Sequence, residues 1–243
     1  MIDYLAVIST ESAALADAVH GHEATRVPAC PDWSGTDLLL HLAGVQQFWA
    51  YVTGLHGAAP NSSMRPRLDA DADPFATATR MTRDLLFAFQ SVDLSAPTWV
   101  WWNEAESDTV AASMRRQAHE ALIHRVDAEQ TAGLPSSVAP VLAADGVSEF
   151  VERMLTDPVW TTWPAEPGLI ELHATDTDDH WYVRADDTGL TLDLEPTGRP
   201  IATIAAVATD LDLALWRRIG WADLWFAGDL DAIEAFLGSA DLT

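Results

Sequence analysis

Arg115-Arg-Gln-Ala-His-Glu-Ala-Leu-Ile-His-Arg-Val-Asp-Ala-Glu129 contains neither proline nor glycine and is rich in residues that favour helix. Within it Glu120 and His124 stand four residues apart, so on a helix their side chains share one face, one turn from each other. At about 100° per residue that face also carries Val110, Met114, Ala121 and Ala128. A carboxylate and an imidazole therefore occupy a stripe that should face a protein core. An unpaired carboxylate there would cost several kcal/mol, so a compensating partner is expected.

Upstream, three more helices are predicted. The first covers 3–20, with Leu5, Ile8, Leu15 and Val19 at helical spacing. Val27-Pro-Ala-Cys-Pro-Asp-Trp33 then interrupts it, because two prolines cannot continue a helix. The second opens at Ser34-Gly-Thr-Asp37, a capping-box pattern, and runs to about 56. After a polar loop over 57–73, Asp73-Pro74 reads as an N-cap with proline at the first helical position. The third helix follows, with Phe75, Ala78, Leu85 and Phe89 on one stripe. The fourth, over about 107–131, contains the opening segment. Such lengths and connections suit an antiparallel bundle.

The pattern changes beyond the Gly-, Pro- and Ser-bearing linker at 133–140. A helix at about 141–156 precedes alternating runs at 169–175, 181–185 and 190–194, separated by hairpin-type turns at 176–179 and 186–189. A strand near 202–207, a helix over about 209–219, a short apolar piece at 224–227 and a last helix ending before Gly238 complete the chain. The expected fold class is α+β: a four-helix bundle over 1–133, then a small α+β domain over 141–243 on an antiparallel sheet.

With 37 Asp and Glu against 13 basic residues, all of them arginine, the 243-residue chain has a formal charge of −24. Nucleic acid or an anionic membrane would be repelled, so neither is expected as a partner. The single cysteine, Cys30, excludes an internal disulfide, and its Pro-flanked loop suggests a structural or incidental residue. No apolar run reaches the roughly 18–20 residues needed to span a bilayer, and no signal peptide is visible. A cytoplasmic protein, monomer or homodimer, is the simplest expectation.

On the second helix His41 repeats the oddity of Glu120 and His124: its helical neighbours are Leu38, Leu42, Val45, Phe48 and Trp49. Two inward imidazoles and one inward carboxylate, from two helices of one bundle, form a three-ligand set for a divalent metal. His2Glu with an open fourth position is a known catalytic zinc arrangement. A lone core histidine is commonly just hydrogen-bonded, and a Glu/His pair commonly lies on a solvated face, so on residues alone both readings stand. The remaining histidines (His20, His22, His56, His119, His173 and His180) read as surface or turn residues. Trp99, Trp101 and Trp102 suit either core packing or a pocket wall.

The 115–129 segment, together with Val27-Pro-Ala-Cys-Pro-Asp-Trp-Ser-Gly-Thr-Asp-Leu-Leu-Leu-His-Leu42, resembles the mycothiol-dependent maleylpyruvate isomerase family, part of the DinB-like group of metal-binding four-helix bundles. The region from Asp210 to Asp229 is similar to that family's C-terminal, sterol-carrier-like domain. The resemblance implies one zinc held by His41, Glu120 and His124, with mycothiol, the low-molecular-weight thiol of actinobacteria, as the fourth ligand. It implies a thiol kept as thiolate for attack on a small electrophile. Addition to a conjugated double bond, rotation and elimination would give cis–trans isomerisation, whereas a stable adduct would make the protein an S-transferase. Asp127, one turn from His124, would accept the second ring N–H of that histidine, or else is a partly solvated helix acid. Arg217 or Arg218 would bind carboxylates of an anionic substrate or thiol, or else line a solvated helix face. Two other classes remain open: a non-catalytic metal- or ligand-binding protein, and a hydrolase using zinc-bound hydroxide.

Overall fold

The computed structural model describes residues 1–102, 108–155, 168–186 and 189–239. The outer ends expected for two helices, at 107 and 156, and the turn centre at 187–188 lie outside these. The chain divides into two compact units, Met1–Ser136 and Ser137–Thr243.

The first unit holds four long helices: α1 (Tyr4–Val19), α2 (Gly35–Thr53), α3 (Pro74–Gln90) and α4 (Val110–Thr131). Each begins where a side chain satisfies the orphan N–H groups of the first turn. Asp3 accepts from the Ala6 amide at 3.1 Å, and Asp73 from that of Ala76 at 2.7 Å. At α2 the box is reciprocal: the Ser34 hydroxyl accepts from the Asp37 amide at 3.2 Å, and Asp37 accepts from the Ser34 amide at 2.8 Å. That box fixes where α2 starts, and hence the face on which position 41 falls. The helix stops at Thr53, short of the expected 56, where Gly54 caps it and His56 turns with φ 50°. Two short strands, β1 (Pro97–Thr98) and β2 (Asp108–Thr109), pair antiparallel just before α4, so this helix starts at Val110 under a Thr109 cap.

α1 packs chiefly on α4, and α2 on α3. Leu15, Val19, Leu38, Leu39, Leu42 and Met81 share one buried cluster; Ile8, Trp49, Val52, Leu85, Phe89 and Met114 share another. Trp99, Trp101 and Trp102 pack against the second cluster, and Cys30 against the first. In α4 burial extends far beyond one stripe: 16 of its 22 residues are buried. His119, expected at the surface, is one of them and is 1% exposed, its ring 6.4 Å from that of Tyr4. An imidazole about 100° off the Glu120 stripe would meet water only on a helix with one dry side, and α4 has more than one.

The second unit opens with α5 (Pro140–Phe150), which passes into a π-turn at Val151–Leu155. Strands β3 (Gly168–Ala174), β4 (Asp179–Asp186), β5 (Gly189–Leu192), β6 (Ala202–Ala206) and β7 (Trp225–Gly228) form one sheet in the order β5-β4-β3-β6-β7. Helices α6 (Ala208–Leu215) and α7 (Leu230–Ser239) complete it. The fold is α+β as expected, but the sheet is mixed, because β6 pairs parallel to β3 while the other pairings are antiparallel. Alternating hydrophobicity reports which face a side chain takes, and a strand alternates identically beside a parallel or an antiparallel partner. Gly146 permits the close approach of α5 to α6, since a Cβ there would stand 2.6 Å from an Asp212 carboxylate oxygen.

Candidate metal centre

His41 comes from α2, Glu120 and His124 from α4, and the packing of the first unit brings all three together. Glu120 Oε1 lies 3.4 Å from His41 Nε2 and 3.3 Å from His124 Nε2. One donor atom from each residue lies within 4.8 Å of the others. Donors about 2.0–2.1 Å from one tetrahedral ion stand about 3.3–3.4 Å apart, which is the spacing found between Oε1 and the two nitrogens. The imidazoles meet edge to face, centroids 4.8 Å apart and planes at 77°, so the in-plane lone pairs of both rings can converge on one point.

The surroundings complete this arrangement. Asp127, fully buried, sits 2.8 Å from His124 Nδ1. With the Nδ1 proton held by Asp127, loss of the other ring proton on metal binding would bare Nε2 toward Glu120, the tautomer a ligating histidine needs. Asp127 is thus a buried partner of His124 rather than a solvated helix acid. Glu120 Oε2 accepts from Arg116 Nη2 at 2.7 Å, which leaves Oε1 to the histidines. Arg116 is a residue that sequence reasoning passed over, although its i,i+4 spacing to Glu120 was there to read. Trp33, at the end of the Pro-containing segment before α2, packs its ring 4.5 Å from that of His41 and 6.3 Å from that of His124. The bare set of two imidazoles and a carboxylate, fixed by an acid and an arginine, fits a zinc-type ion.

Without an ion the cluster is tightly coupled. Burial alone would drive Glu120 up, but the His124 charge, hydrogen bonds from both imidazoles and the Arg116 guanidinium hold it well below the usual carboxylate range. Burial opposes a charge on His124, yet the Glu120 and Asp127 carboxylates prevail and raise it to about 9. A histidine raised above its unfolded value of 6.5 contributes stability that is complete below 6.5 and lost as pH climbs through about 9. The metal-free protein is therefore expected to weaken across that window. Urea unfolding at pH about 6 and about 10 checks this, the loss being smaller in His124→Gln; equal losses in both proteins would refute it.

Arg217 and Arg218 belong to the second unit. They were expected on a helix, but α6 ends at Leu215; Arg217 follows with φ 60° and Arg218 Nη1 donates to the Trp216 carbonyl at 2.6 Å. The backbone tightens at Trp216, so neither arginine sits on a helix face.

Residues 5–129 match the family model described as the mycothiol maleylpyruvate isomerase N-terminal domain. The chain belongs to this family. As a mycothiol maleylpyruvate isomerase family member it is an enzyme, and the match takes in His41, Glu120 and His124. Two crystal structures are similar in fold, one titled mycothiol-dependent maleylpyruvate isomerase and the other a single-substitution mutant of a protein so titled. Their identities to this chain are 11% and 9%, each with a TM-score of 0.62 over 92% of this chain and 91% of the other. No curated protein matches the chain by sequence. Among the described residues, no helix is long and apolar enough to cross a membrane.

Proposed function

We propose that this family member is a zinc-dependent, mycothiol-using isomerase acting on a small cis-configured electrophile of the maleylpyruvate kind, with His41, Glu120 and His124 as the metal ligands. When bound, zinc would supply the vacant coordination position and positive charge that keep a thiol ionised at neutral pH. The chain's own residues prepare that position. Arg116 holds Oε2 of Glu120, so that Oε1 alone is left for the ion. Asp127 holds the His124 proton on Nδ1. Trp33 covers one side of the His41 ring and limits water there. Arg217 and Arg218 stay in the reading as cations for carboxylates of substrate or thiol, as does a cytoplasmic setting.

The observation that carries the proposal is the convergence of His41, Glu120 and His124 from two helices within the segment that matches the family. The test is zinc analysis of the purified protein, followed by conversion of maleylpyruvate with and without mycothiol. Stoichiometric zinc and thiol-dependent formation of the trans isomer are expected. Zinc with conversion indifferent to thiol would overturn the thiol assignment, and a stable S-conjugate in place of isomer would make the enzyme a transferase.

A further inference from the structure

The hairpin of β3 and β4 carries a second set of metal-type donors, on the sheet face opposite buried Leu172 and Trp181. His173 and His180 are direct cross-strand partners in the antiparallel register. Such pairs bring Cβ atoms to about 4.5–5.5 Å, and here the rings stack with centroids 4.1 Å apart. The turn joining the strands places Asp178 in the left-handed region, φ 59°, a conformation an aspartate tolerates. Its carboxylate thereby swings back over the histidine pair. Asp178 Oδ1 lies 3.4 Å from His173 Nε2 and 3.7 Å from His180 Nε2, close to the separation of two donors on one tetrahedral ion.

A neighbouring carboxylate orients this set. Glu171 Oε1 stands 2.9 Å from His180 Nδ1 and also accepts from the Tyr182 hydroxyl at 3.1 Å, while Oε2 accepts from Thr203 at 2.9 Å. A carboxylate so fixed keeps the His180 proton on Nδ1 and turns Nε2 toward Asp178, as partners of ligating histidines do. The other acid of the turn, Asp176, is engaged elsewhere and accepts from the Ala208 amide at 2.7 Å.

We propose that His173, Asp178 and His180 form a surface site for a divalent transition ion of the imidazole-preferring kind (zinc, copper or nickel), separate from the bundle cluster and independent of the activity proposed above. Two nitrogen donors set it apart from calcium or magnesium sites, which are built of oxygen. An ion lies in the plane of each ring that binds it, so the stacked imidazoles must tilt toward each other when it enters. Their χ2 torsions are broad, and the side chains are 28% and 35% exposed, leaving room to turn. Bound there, the ion would staple the ends of β3 and β4 together and favour the folded second unit by mass action.

The test is zinc titration of the full-length protein against a chromophoric chelator. The double variant His173→Gln/His180→Gln is expected to take up one equivalent fewer than the unmodified chain, whatever the bundle cluster binds. Asp178→Asn, which keeps the left-handed turn, should weaken the same ion, and Glu171→Gln should weaken it on the order of tenfold. Equal zinc uptake by the double variant and the unmodified chain would overturn the site. Unchanged affinity in Asp178→Asn would do so too, since the carboxylate would then not be a ligand.

Discussion

Replacing Glu120 by alanine is expected to abolish stoichiometric zinc binding and to lower the stability of the first unit. Oε1 lies within 3.4 Å of both imidazole nitrogens, so its loss takes away the carboxylate oxygen that stands between two histidines from separate helices. Neutral imidazoles alone cannot offset the ion's charge in a partly dry site. The same truncation deprives Arg116, whose side chain is 4% exposed, of the carboxylate it meets at 2.7 Å. Breaking a buried pair from one side costs about 3–5 kcal/mol; with Glu120 still 18% exposed, about 2–3 kcal/mol is expected. Metal analysis beside urea unfolding of the metal-free proteins separates the two effects. Full zinc occupancy in Glu120→Ala would remove Glu120 from the ligand set.

The second large effect is expected at Arg125, away from the face that Glu120 and His124 share. Its guanidinium joins α4 to α1 through Glu11 at 2.6 Å and pairs within α4 with Glu129, also at 2.6 Å. Arg125→Ala leaves both carboxylates without that cation in a chain already carrying −24, where each lost positive charge adds to self-repulsion. A loss of about 3 kcal/mol by urea unfolding is expected, with zinc stoichiometry unchanged. A loss below about 1 kcal/mol would place Arg125 among ordinary surface ion pairs. Joint loss of zinc and stability would show that the bundle interior moves as one body.

The three candidate donors were legible because each depends on local geometry. A polar side chain within an apolar 3.6-residue stripe is visible without knowing the partner helix, and Glu120 and His124 reach one another along their own helix. The signal for Arg116 was equally local, an arginine four residues before a half-buried acid. His119 misled for the opposite reason: its direction on α4 is local, but whether that direction is wet depends on everything packed around the helix. The role of Trp33 likewise emerged only once the neighbours were in place, whereas the pairing of Asp127 with His124 was expected from their spacing along α4.

Caps, helix phase and strand alternation follow from the order of residues, since a helix fixes side-chain directions within a few residues and a strand within two. Sequence alone therefore determined four helices, an α+β second unit and the inward-facing donors. The meeting of His41 with the two donors of α4, and the parallel run of β6 beside β3, were decided by tertiary packing. Both depend on contacts between segments far apart in the chain, where burial of many side chains at once selects one arrangement from several that local preference allows.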